Sequence, residues 1–218
     1  MSIFTQVPVN KIRRSSHNLS HQVRASFDYG KIVPIMTELA YPGDSWRVNL
    51  EQFIRTMPLT APVMDMLDVK VDAFFVPLRL IWDDFEDFIT LGMTGEFDAA
   101  WPTITITGTP NSSVFNLYQS VFGIGGTLDY LNFSTNIVPV SGTEFTRSCD
   151  ALPFRAYQFI YNEYYLNENL DSPIPLSTTS GNLNLTHSSG AIGQSSYLGN
   201  FKLQNRGWRK VWENQDSR

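Results

Sequence analysis

Apolar and polar positions alternate through much of the first third of the chain, the pattern of strands with one buried face. Ile32, Val33 and Ile35 form a short run that closes at Tyr41-Pro42-Gly43-Asp44, a strong turn signal. Beyond the turn, Trp46, Val48 and Leu50 share one face while Arg47, Asn49 and Glu51 share the other, which predicts a half-buried strand continuing toward Met57. A third run follows Pro58 and Pro62. In it Met64, Met66, Asp68, Lys70 and Asp72 have one parity and Leu67, Val69, Val71, Ala73 and Phe75 the other, and Phe74-Phe75-Val76 reads as buried on both faces.

The period then changes. Trp82, Phe85, Phe88 and Ile89 recur at helical spacing, with Asp83 and Asp84 expected in the first turn, where carboxylates favour the positive end of a helix. Gly92 and Gly95 stop that helix. Residues 92–147 form a long insertion of modest regularity, with one clear β run at Thr103-Ile-Thr-Ile-Thr107. Asp150 ahead of Pro153 predicts an N-cap with proline in the first turn. The helix it opens carries Phe154, Tyr157, Ile160, Tyr161, Tyr164 and Tyr165, an aromatic stripe expected to clamp against a sheet or a neighbouring chain. From about 172 to 200 the composition turns to Ser, Thr, Gly and Asn, which reads as a loop or mobile segment.

Composition adds that a real core is within reach. Hydrophobic residues make up 42% of 218 positions, and five Trp, fifteen Phe and nine Tyr are among them. A packed aromatic buries roughly 150–250 Å², so disorder throughout is excluded. The densest apolar stretches, Ala73 to Pro77 and Leu78 to Trp82, fall far short of the roughly 20 residues a membrane helix needs. Met1 to Val9 is broken by Gln6 and Pro8, with its basic residues after the apolar ones, so it is not expected to act as a secretory signal. Cys149 is the only cysteine, which excludes a disulfide framework and points to synthesis in a reducing cytosol.

The net charge of −5 conceals a division. Residues 1–27 hold Lys11, Arg13, Arg14 and Arg24 and no acid, and residues 172–212 hold Lys202, Arg206, Arg209 and Lys210 and no acid. The acids lie between and at the C-terminus. An acidic body with basic ends repels polyanions over most of its surface and can touch them with its arms.

Catalytic patterns find little support. Asp83-Asp84-Phe85-Glu86-Asp87 lacks the alternation and glycine of a calcium loop, and paired catalytic carboxylates normally come from separate elements. His17 and His21 have a metal-compatible spacing, but Ser and Asn around them make no firm helix. Gly123-Ile-Gly125-Gly126 is neither a dinucleotide fingerprint nor a P-loop. No enzyme activity, cofactor, metal, membrane or small-molecule substrate is expected.

Five phrases in order carry a resemblance. They are Asn18-Leu-Ser-His-Gln-Val-Arg24, Leu39-Ala-Tyr-Pro-Gly-Asp44, Phe74-Phe-Val-Pro-Leu-Arg-Leu-Ile-Trp-Asp83, Phe85-Glu-Asp-Phe-Ile89, and Leu152-Pro-Phe-Arg-Ala-Tyr157 continuing to Ile160-Tyr-Asn-Glu-Tyr164. Together they resemble the major capsid proteins of gokushoviruses, small single-stranded DNA phages of the Microviridae. The similarity is strongest over 18–90 and 148–171. It implies a mainly β viral jelly-roll, an antiparallel β-barrel or sandwich with long insertions and a few short helices. Copies would assemble into a T=1 icosahedral shell, made in the bacterial cytoplasm and found in the virion. Their partners would be one another, the single-stranded DNA genome and a small basic internal protein.

Within that resemblance, residues 1–27 are a basic arm and 28–218 the N-terminal part of one jelly-roll domain. Lys11, Arg13, Arg14, Arg24, Arg206, Arg209 and Lys210 are the candidate DNA contacts, with Trp208 and Trp212 as stacking partners, since non-specific single-strand binding combines cations with aromatics. Phe154, Tyr157, Tyr161, Tyr164, Trp82 and Phe85 are the candidate packing and interface residues. Members of the family are much longer, and three long strands cannot close a jelly roll, so an incomplete barrel is expected. A β-sandwich that binds glycan or protein without catalysis is the alternative.

Overall fold

A computed structural model of the chain describes residues 14–58, 60, 64, 66–93, 95–96, 99–108, 123–133, 145–169 and 171–187. Among these residues three strands form a sheet: β1 (Thr103–Gly108), β2 (Phe145–Asp150) and β3 (Asn182–His187). The order is β2-β1-β3, with β1 antiparallel to β2 and parallel to β3. Thr103 stands opposite Asp150 on one side and Asn182 on the other. The β-branched Thr-Ile alternation of β1 suits this central place. Ile104 is buried, while Thr105 Oγ1 donates to Ser148 Oγ at 3.0 Å and Thr103 Oγ1 to Asn182 Oδ1 at 3.2 Å. Thus the only clear β run of the presumed insertion is the centre of the sheet. Part of the Ser/Thr/Gly/Asn-rich stretch expected to be mobile forms β3, whose first residue, Asn182, is paired across strands through its side chain.

The helical elements are short. A 3₁₀ turn, Leu78–Leu80, leads into α1 (Phe85–Thr90), which ends at Leu91 in the left-handed region with Gly92 N–H donating to Asp87 O at 3.1 Å. Helix α1 starts later than the periodicity suggests. Asp83 and Asp84 precede it instead of occupying its first turn, because Trp82 is taken into the core and the chain turns there. Helix α2 (Thr127–Tyr130) is a single turn. Helix α3 (Leu152–Ile160) has proline in its first turn; its N-cap is Ala151 and not Asp150, which stands one residue earlier and accepts the Leu152 N–H on Oδ1 at 3.0 Å. A π turn, Tyr161–Tyr165, extends it, closed by Leu166 N–H on Tyr161 O at 2.9 Å.

Among the described residues a core lies where α3 meets the 3₁₀ turn. Ile81, Trp82 and Leu152 are buried together, with Val76, Leu78, Phe85, Ala156, Phe159 and Leu176 packed around them. Phe154, on α3, stacks on Phe133 at 6.0 Å between ring centres, close to the buried Leu128 and Leu131 of the α2 turn in sequence.

The N-terminal third departs most from expectation. The turn forms: Asp44 N–H donates to Tyr41 O at 3.0 Å, and Gly43 holds φ +90°, as Pro-Gly in a type II turn requires. The strands around it do not. No described residue of 32–35, 46–57 or 63–76 stands in a strand, and Phe53, Met64 and Phe75 are 92%, 95% and 80% exposed. A strand is a property of a pair. Alternation prepares a face for burial, but a ladder needs a second backbone alongside.

Candidate functional site

Among the described residues the best-built arrangement is the junction between residues 81–84, α3 and residues 178–181. The Trp82 indole is completely buried and its Nε1–H donates to Ser180 Oγ at 2.6 Å. Ser180 Oγ–H in turn donates to Asp84 Oδ2 at 2.5 Å. One residue away, Thr178 Oγ1 donates to Asp83 Oδ2 at 2.6 Å and Asp83 N–H to Thr178 O at 3.0 Å. The two carboxylates read as helix-start charges are therefore used to hold the polar 178–180 segment against residues 82–84.

Arg155 is the residue the sequence reading missed. It is 3% exposed, with Nη1–H donating to Ile81 O at 3.1 Å and Nη2–H to Thr179 O at 2.8 Å. Burial pushes the guanidinium below its ordinary pKa, and Asp150 and Asp83 oppose that shift. Its planar fork bridges two backbone segments that share no ladder. A lone base within an aromatic helical stripe was the available signal, because such a position must either snorkel to water or find acceptors inside.

Around Trp82 an aromatic group fills the remaining space. Phe85, Phe88 and Trp101 lie 5.9, 5.0 and 5.4 Å from it between ring centres, and Trp101 Nε1–H donates to Asp150 Oδ1 at 3.1 Å. Of the candidate packing residues, Trp82, Phe154, Tyr157 and Tyr161 are buried and Phe85 is half-buried. Tyr164 departs from the expectation of burial, being 58% exposed with only one face against Phe74 at 4.7 Å. The π turn is the reason. Residues in a widened turn advance by less than the roughly 100° of an α-helix, so 164 swings off the stripe, while the half-buried Tyr165 keeps to it. Burial raises the pKa of the Tyr161 phenol, with Asp171 adding to the shift, and that of Tyr130, with Asp129 the next contributor.

Of the candidate DNA contacts, Arg14 and Arg24 are among the described residues. Both are exposed, and Arg24 Nη2–H reaches Gln22 Oε1 at 3.4 Å. Lys11, Arg13, Arg206, Arg209 and Lys210 lie outside the described residues, as do Trp208 and Trp212. His17 and His21 make contacts within two residues of themselves, to Ser15 Oγ and Leu19 O. Among the described residues no group of three or more His, Cys, Asp or Glu could hold a metal, and no helix is long and apolar enough to cross a membrane.

What the geometry offers is a small, polar-latched core beside a long apolar surface, an arrangement suited to packing against further polypeptide. The class is that of a structural protein. The family described as Capsid protein (F protein) matches residues 5–197, and the chain belongs to that family. It is 33% identical over 175 residues to the capsid protein VP1 of Chlamydia phage 1, covering 80% of this chain and 28% of that one. To the capsid proteins VP1 of Bdellovibrio phage phiMH2K and Spiroplasma virus 4 it is 30% identical over 182 residues, covering 82% of this chain and 30% of each. The chain thus spans less than a third of the length of these relatives. The gokushovirus resemblance read from five short phrases is confirmed, and membership of a capsid family implies a structural role and a place in the virion.

Proposed function

We propose that this chain is part of a major capsid subunit of jelly-roll architecture, which self-assembles into a T=1 shell around single-stranded DNA. The observation that supports this reading best is the apolar stretch 46–75, exposed in the isolated chain of a capsid family member. Contiguous exposed apolar surface of that kind marks a site that other polypeptide covers. The basic residues Lys11, Arg13, Arg14 and Arg24, with Arg206, Arg209 and Lys210, are assigned to the genome, and a small basic internal protein is a further partner.

Electron microscopy of the expressed gene product tests the assembly. Regular shells of uniform diameter are expected, and a monodisperse monomer at high concentration under every salt condition overturns the reading. For the arm, replacing Lys11, Arg13, Arg14 and Arg24 by Ser should weaken single-stranded DNA binding. Each lost phosphate contact should flatten the salt dependence by about 0.7 in log–log slope. An unchanged slope assigns these cations to solvent or protein.

A further inference from the structure

From Ile35 to Phe75 every described residue is exposed, and the half-buried positions that flank this stretch are Ile32, Val33 and Pro34 on one side and Val76, Pro77 and Leu78 on the other. The excursion therefore has two feet on the body. A tyrosine of the α3 segment meets the chain at the first foot and another meets it four residues before the second. Tyr157 Oη donates to Ile32 O at 2.8 Å, and Tyr165 Oη donates to Asp72 Oδ2 at 2.8 Å. Tyr157 stands on α3 and Tyr165 on the π turn that continues it, so one rod carries both contacts.

Secondary contacts reinforce each foot locally. Near the first, Tyr130 Oη donates to Ser26 O, and Lys31 pairs with Asp28 at 2.9 Å. Near the second, Asp72 also receives Lys70 Nζ at 3.2 Å, and the Phe74 ring lies 4.7 Å from Tyr164 and 6.1 Å from Tyr165. Tyr164, by contrast, is turned off the stripe by the widened turn and meets the arm through its ring.

We propose that Tyr157 and Tyr165 act as a pair of stakes that fix the two feet of the 35–75 arm to a single helical rod, each stake controlling release of its own foot. With both in place the arm leaves and rejoins the body at set points. Loss of either hydroxyl turns the nearer end of the arm into a loose tether, and the body keeps its fold. The proposal stands on the hydroxyl contacts and the exposure pattern, independently of the capsid reading.

Trypsin provides the test, because its targets are distributed for the purpose. Lys31 lies beside the first foot and Lys70 beside the second, while Arg47 and Arg55 lie within the arm as internal references. Cleavage of a folded chain follows the population of the locally opened state when opening is fast. In the full 218-residue chain, Tyr157→Phe should raise the cleavage rate after Lys31 relative to Arg47, and Tyr165→Phe should raise it after Lys70 relative to Arg55. One neutral hydrogen bond corresponds to about two- to tenfold. The double variant should show both changes, with far-UV circular dichroism and the melting midpoint close to those of the parent. Unaltered ratios at both feet overturn the proposal. So does an equal rise at all four sites, which would make the hydroxyls general stabilisers and not stakes.

Discussion

The block around Trp82 and the arm from 35 to 75 are similarly rich in apolar side chains, yet one is packed and the other bare. In the block, three stretches distant in sequence converge: 76–85, 150–160 and 174–181. Each brings polar atoms that another satisfies, through Ser180 between Trp82 and Asp84 and through Arg155 between Ile81 and Thr179. The arm has the alternation of a strand but no described backbone beside it. Hydrophobicity supplies the drive to be covered, and only complementary polar geometry fixes what does the covering.

The contrast can be broken most forcefully at Trp82. Trp82→Ala should cost about 3–5 kcal/mol, as other large-to-small core changes do, whereas Phe75→Ala should stay within about 0.5 kcal/mol, as exposed substitutions do. Urea midpoints followed by circular dichroism measure both. Equal losses would mean that the arm is as well packed as the block.

Next in size is the pair on the aromatic stripe. Tyr161→Ala should lose about 3 kcal/mol and Tyr164→Ala less than about 0.5 kcal/mol, although they are three residues apart on one rod. A reversal would place the π turn elsewhere.

Arg155→Met keeps the length of the side chain and removes its donors, leaving the carbonyls of Ile81 and Thr179 without them. A cost of about 2 kcal/mol is expected from charge-assisted bonds of this kind. A gain in stability would show that the buried cation is tolerated and not useful, the outcome sometimes found when buried charges are replaced by apolar groups.

The smallest effect is titration. Tyr130 and Tyr161 have folded pKa values above the ordinary 10.0, chiefly through burial. The folded state then holds these protons more tightly than the unfolded state, so stability falls as pH rises. The loss begins near pH 10.0 and continues up to the raised values, while below pH 10.0 neither phenol contributes a slope. Replacing both with Phe should remove that part of the alkaline decline.

Legibility in the sequence followed how local each feature is. The Tyr41–Asp44 turn, the Thr103–Thr107 strand and the helix after Pro153 were readable because proline, glycine, β-branching and capping act within a few residues. The family was readable too, from short phrases. The N-terminal strands were misread because alternation describes a face and not a partner. Strand β3 was hidden by a polar composition that suits loops equally well. Neither the bridging role of Arg155 nor the outward swing of Tyr164 could be seen, since the first depends on carbonyls from 81 and 179 and the second on a single widened turn.

The order in which these partners are synthesised has a consequence for the cell. Ser180, which receives the Trp82 indole, follows it by 98 residues, and Asn182, which stands beside Thr103, follows that residue by 79. At roughly 5–20 residues per second of translation, Trp82 is synthesised about 5–20 seconds before its hydrogen-bond acceptor. The parallel β1–β3 pairing cannot begin for a comparable interval. During that time the arm is already outside and uncovered. The newborn chain therefore passes through a late-closing, adhesive stage whose length is set by the speed of the ribosome.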